Sequence, residues 1–156
     1  METDNTRLVG EFLTSILSPG VIGAINVVGI IYEASNGTGV VKDSVAIEYA
    51  KSKGFAKSTW WYYVKKLREL GVLDKRWDNY VLPEPILKHY EKFKKIIESG
   101  DYCSARAEIK QLWEEANNPL SVAMVIVAVN HLGLLDLLKD AKTEEAKVSV
   151  YAKAFR

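Results

Sequence analysis

Between Lys57 and Arg76 the chain gathers side chains suited to holding a polyanion. Lys57, Lys65, Lys66, Lys75 and Arg76 carry positive charge that can replace counterions on phosphates. Ser58, Thr59, Tyr62 and Lys65 carry donors able to reach hydrogen-bonding edges, and Trp61 adds an aromatic surface for stacking or apolar contact. The chain's net charge is only +1, but its distribution is uneven. Residues 42–95 hold thirteen basic and seven acidic side chains, against one and four in residues 1–41 and seven and nine in residues 96–156. The positive excess therefore falls on the segment that holds these donors. Lysines also cover ordinary solvated helix faces, so charge alone does not assign a partner.

These side chains need an element that points them outward. Along residues 57–70, Trp60, Tyr63, Val64, Leu67 and Leu70 recur at helical spacing on one side. Ser58, Tyr62, Lys65 and Glu69 fall opposite, flanked by Trp61 and Arg68. The pattern predicts an amphipathic helix with a basic and aromatic outer face. Gly71 ends it, since glycine alone takes the left-handed conformation cheaply after a helix. Val72 to Trp77 and Asn79 to Leu82 then read as two strands around a tight Asp78–Asn79 turn, with Lys75, Arg76 and Trp77 near its tip. Upstream, Asp43 or Ser44 is expected to cap a helix that turns Ala46, Ile47 and Ala50 inward and stops at Gly54. Ala50, Gly54 and Phe55 supply the small residue, turn and apolar plug that join two helices steeply. Val21 to Ala34 is a strongly apolar helix, broken by Ser35–Gly39, after which Val40–Val41 can pair with the hairpin.

In its order of parts this stretch resembles the winged helix-turn-helix domain. The resemblance rests on Ala50, Gly54, Phe55, Ser58, Thr59, Val64, Leu67, Gly71, Val72 and Leu73, followed by the hairpin Lys75-Arg76-Trp77-Asp78-Asn79-Tyr80, and runs from near Val21 to Pro83. One departure is Ala56, where such domains place a capping serine. The alanine forgoes roughly 1 kcal/mol unless Ser58 starts the helix later. The resemblance implies sequence-specific binding of double-stranded DNA, with helix 57–70 in the major groove and the wing at 72–82 beside it. DNA would then be touched by Ser58, Trp61, Tyr62 and Lys65, and by Lys75 and Arg76 at the wing. The simplest such role is transcriptional regulation, and compact proteins of this style resemble those of archaea and their plasmids and viruses.

Around this domain the expected fold is mostly α: an N-terminal helix within residues 1–19, the winged unit at 20–83 with its small β-wing, and a helical region at 84–156 for packing or dimerisation. Leu8, Val9, Phe12, Leu13, Ile16 and Leu17 mark the first helix, over residues 4–17. Pro85 to Ser99 follows with Ile86, Tyr90, Phe93 and Ile97 inward. Asp101 to Ala116 turns in Tyr102, Ala105, Ile109, Leu112, Trp113 and Ala116. Asn118 caps Leu120 to Lys139, a helix apolar enough to be buried on all sides or sandwiched between subunits, and Thr143 to Phe155 forms a weaker last helix. This apolar surplus points to a homodimer presenting two recognition helices.

With 48% hydrophobic and 26% charged residues, the 156-residue chain has an ordinary globular composition. One cysteine, Cys103, read as a core-edge residue, excludes an intrachain disulfide. His89 and His131 read as packed or surface residues, and no metal, cofactor or catalytic site is expected. Glu114–Glu115 and Glu144–Glu145 are adjacent and point apart on a helix. The polar, acidic start is unlike a secretory signal, and the apolar run Val122–Val129 is too short to cross a membrane, so a cytoplasmic location is expected. Abundant Lys and Glu with a single glutamine is a composition seen in heat-adapted proteins. Two rival functions follow from the aromatic run at Trp60–Tyr63. One is a winged-helix adaptor that grips a protein of a replication, transcription or partition assembly, and the other is single-stranded DNA binding.

Overall fold

The computed structural model describes residues 19–132. The helices expected over residues 4–17 and 143–155, and the continuation of the apolar helix from 133 to Lys139, lie outside the described residues. Within them the chain is mostly helical, with six helices and one three-stranded antiparallel sheet. It divides into two compact units, one of residues 23–88 and one that includes residues 89–132.

The first unit is built on α1 (Pro19–Ala34), which buries Ala24, Ile25, Val27, Val28, Ile30 and Ile31. A helix so apolar around its girth belongs inside a core. Strand β1 (Val40–Lys42) runs without a break into α2 (Asp43–Ser52). That continuity displaces the expected cap. Lys42 holds the cap position without a side-chain bond, while the Asp43 amide donates to the Asp78 carbonyl at 2.7 Å. Helix α2 buries Ala46 and Ala50 and leaves Ile47 half-buried. It ends at Gly54, whose φ of +91° lets the Phe55 amide reach back to the Ala50 carbonyl at 2.9 Å.

Helix α3 (Lys57–Glu69) follows, and its buried side is Trp60, Val64 and Leu67, with Tyr63 half-buried. Gly23 makes room for the Tyr63 ring: any Cβ at Gly23 would collide with it. Beyond Gly71 (φ +74°), β2 (Asp74–Arg76) and β3 (Asn79–Val81) form the hairpin, and the sheet order is β1-β3-β2. Val41 and Lys75 both stand opposite Tyr80, on either side of it.

Trp60 joins these parts. It is 1% exposed, meets Phe55 edge-on at 6.2 Å and Tyr80 edge-on at 5.9 Å, and donates its indole N–H to the Tyr80 hydroxyl at 3.3 Å. One side chain thereby ties the α2–α3 turn, the helix and the middle strand together. Burial raises the Tyr80 pKa, which keeps the phenol neutral at this contact.

The second unit takes most of α4 (Glu84–Ser99), with α5 (Tyr102–Glu115) and α6 (Pro119–His131). Asp101 caps α5 by accepting from the Ser104 amide at 2.9 Å, and Asn118 caps α6 by accepting from the Ser121 amide at 2.8 Å. The buried line of α4 is Ile86, His89, Phe93 and Ile96; Tyr90 and Ile97 are only half-buried. The inward face is thus turned slightly from the expected one, because His89 takes an interior place. Along α6 every residue from Leu120 to Val129 is buried except Val127, which is half-buried, so this helix is covered within a single chain. Tyr102 and Trp113 are half-buried, and Cys103 is exposed rather than at a core edge, on the solvent side of α5.

His89 sits at 5% exposure with Nδ1 2.6 Å from the Ser121 hydroxyl, which also accepts from the Asn118 amide at 3.0 Å. The other ring nitrogen, Nε2, lies 3.9 Å from the Glu115 carboxylate. Burial lowers the His89 pKa; Glu115 opposes this and Lys92, bonded to Glu115 at 2.6 Å, adds to it.

Two predictions come from this packing. Trp60→Ala is expected to cost about 3–5 kcal/mol in urea unfolding, and Trp60→Phe a smaller amount, since only the latter keeps the ring contacts. His89 favours the folded state most when neutral, so its stabilisation is complete above about pH 6.5 and is lost as pH falls through that value towards the lowered folded pKa. His89→Gln should flatten this part of the stability profile, measured by urea unfolding between about pH 5 and 7.

Candidate nucleic-acid interface

Helix α3 begins at Lys57, with Ala56 in the cap position and no side-chain cap bond. Ser58 does not delay the start. The first-turn amides consequently point outward without a side-chain acceptor, beside exposed Lys57, Ser58 and Thr59, where the helix end favours an anion. On the outer face Trp61 is 40% and Tyr62 60% exposed, and Lys65 is exposed. Lys66 is half-buried and engaged within the chain. Lys57, Trp61, Lys65 and Arg68 recur every three or four residues and so share one face.

The hairpin differs from expectation in where it turns. Arg76 pairs with Asn79, which leaves Trp77–Asp78 as the two-residue loop in place of Asp78–Asn79. The strands are correspondingly shorter than expected. The cause is Tyr80: its ring must point to Trp60 in the core, and strand alternation then places Asn79 in the strand. The residue forced to positive φ (+59°) is Trp77, 95% exposed. A bulky residue in that region is an outlier, strained by on the order of 1–3 kcal/mol.

The same register settles Lys75. It lies across from Tyr80 on the inner face, with its ammonium 5.7 Å from both the Tyr80 and Trp61 ring centres and 3.3 Å from the Asp43 carboxylate. Its side chain is only 23% exposed. Lys75 was expected to face a ligand; it lines the groove between α3 and β2 and also joins the wing to α2 and α3 through these contacts. Arg76, one position on, is exposed.

Between α3 and β2 a groove encloses about 670 Å³. Val64 and Leu73 contribute apolar lining, Trp61 lines it too, and Lys65, Arg68, Lys75 and Arg76 bring cations against the acids Glu69 and Asp74. Arg68 and Trp77 were not among the expected site residues. Arg68 had a signal, its helical spacing from Trp61 and Lys65. Trp77 was expected near the tip, and the register puts it in the loop itself. Lys57, Ser58, Thr59, Trp61, Tyr62, Lys65 and Arg76 are exposed on one unit, and the groove brings Trp61, Lys65 and Arg76 together, while Lys66 and Lys75 are half-buried.

Ser121, His89 and Glu115 have the residue types of a hydrolytic triad, but Ser121 is 0% exposed and Glu115 lies beyond hydrogen-bond reach of the ring. Among the described residues no three His, Cys, Asp or Glu side chains converge as a metal site, and no helix is long and apolar enough to cross a membrane.

No protein-family model matches the chain, and no solved structure matches it. A curated protein that does is the uncharacterized protein E-178 of Sulfolobus spindle-shape virus 1, 38% identical over 118 residues. The match takes in 75% of this chain and 58% of the viral protein.

Proposed function

We propose that residues 20–83 form a winged helix-turn-helix domain that binds double-stranded DNA sequence-specifically, with transcriptional regulation as the simplest role. The observation that carries this is the outward face of α3: Ser58, Tyr62 and Lys65 are exposed on a helix whose uncapped start favours a phosphate, next to a β-hairpin that exposes Arg76. The sheet order β1-β3-β2 and the turn at Gly54 agree with the fold that the proposal requires. On this reading Lys57, Lys65, Arg68 and Arg76 meet phosphates, Ser58, Thr59 and Tyr62 meet base edges or sugars, and Lys75 holds the wing in place. A homodimer would present two such helices to a pseudo-palindromic site.

A second reading has its own support. Trp61 and Tyr62 keep large aromatic areas in water, which a protein partner's pocket would also cover. Salt-insensitive capture of such a partner, without duplex binding, would favour an adaptor.

The variants separate the roles. Lys65→Ala and Arg76→Ala should leave stability within about 0.5 kcal/mol, weaken duplex binding and each lower the salt slope by about one. Lys75→Ala should instead destabilise the unit, seen in urea unfolding, because it removes the Asp43 ion pair and the contacts with the Trp61 and Tyr80 rings. Unchanged affinity of the folded Lys65 and Arg76 variants would refute the assignment.

A further inference from the structure

The tip of the hairpin carries a feature that phosphate contacts do not use. Trp77 is the most exposed large hydrophobic side chain among the described residues, at 95%, and it holds φ at +59°. Asp78 and Asn79, the next two residues, tolerate positive φ better than tryptophan does, yet the register sends the tryptophan there. The loop is also held firmly. Its Asp78 carbonyl accepts from the Asp43 amide at 2.7 Å, Asp43 holds Lys75 at 3.3 Å, and Lys42 lies 3.9 Å from the Asp78 carboxylate. A strained backbone on a fixed base therefore displays an indole in water, with the exposed cation of Arg76 beside it.

We infer that Trp77 is a wedge that enters the minor groove of duplex DNA and stacks into a partly opened base step, kinking the duplex. The inference rests on the duplex-binding reading above and adds to it the residue that deforms the DNA. A single planar side chain projecting from the tip is slender enough for a groove about 6 Å wide. An apolar side chain that parts two base pairs exchanges their stacking for contact with itself, and the cation next to it offsets the phosphate charge drawn closer by the bend. Pyrimidine–purine steps, which unstack most easily, are the expected point of entry. The indole thereby adds discrimination where it makes no base-edge hydrogen bond.

The test uses the full-length protein and a duplex selected by it from random sequences. Trp77→Ala should weaken binding roughly 5- to 100-fold with an unchanged salt slope, whereas Lys65→Ala should reduce that slope. The wild-type complex should bend the duplex by on the order of 20–90° in a fluorescence-transfer assay, and Trp77→Ala should abolish most of that bend. Duplex should quench wild-type tryptophan fluorescence more than it quenches Trp77→Phe. Trp77→Gly should keep or raise the melting temperature, since glycine relieves the positive φ, while losing affinity, an opposition that a merely structural role would not produce. If the wild type binds and Lys65→Ala weakens it, but Trp77→Ala binds and bends like wild type, the wedge is wrong and the duplex-binding reading stands. If the wild type selects no duplex, both fall.

Discussion

The contact between Trp60 and Tyr80 is the constraint on which the rest of the first unit depends. It fixes the middle strand against α3 through an edge-on ring pair and one N–H···O bond, both shielded from water. With Tyr80 pinned inward, strand alternation excludes a one-residue slip of the register. In the register observed, Lys75 stands across the same face, Arg76 points away, and the loop consists of Trp77 and Asp78. A single buried pair thus determines which cation is internal, which is offered to solvent and which aromatic is strained.

The surface that results combines two uses of polar and aromatic groups. Lys75 is spent inside the domain, between Asp43 and the rings of Trp61 and Tyr80, where partial burial makes its ion pair worth more than a solvated one. Lys57, Lys65 and Arg76 remain in water, where a charge stabilises little in the free protein but can replace counterions on a partner. The uncapped start of α3 follows the same logic. Forgoing a serine cap loses some helix stability and leaves amides open to an anion. Strain at Trp77 and a missing cap at Ala56 are local departures from the most stable choice, gathered on the unit that carries the positive excess.

Much of this was legible in the sequence. Helical spacing placed Trp60, Val64 and Leu67 inward and Tyr62 and Lys65 outward, and Gly54 and Gly71 marked the turns through their backbone freedom. Asn118 was readable as a cap because its role is local. What escaped depended on partners distant in the chain. The loop shifted by one residue because Tyr80 answers to Trp60, twenty positions away. Lys75 looked like a surface cation until register brought Asp43 to it. His89 moved the face of α4 because Ser121 gives it a buried hydrogen bond, and Cys103 fell outside because small residues carry little weight in a helical stripe.

The central claim is that α3 and the hairpin act as one duplex-binding surface held in register by the Trp60–Tyr80 contact. Amide chemical-shift mapping of the isotope-labelled protein, titrated with duplex DNA, tests it most directly. The account predicts shifts concentrated between Lys57 and Arg68 and between Arg76 and Asp78, fading as salt is raised. Shifts confined to residues 89–132, or none at any salt concentration, would contradict it.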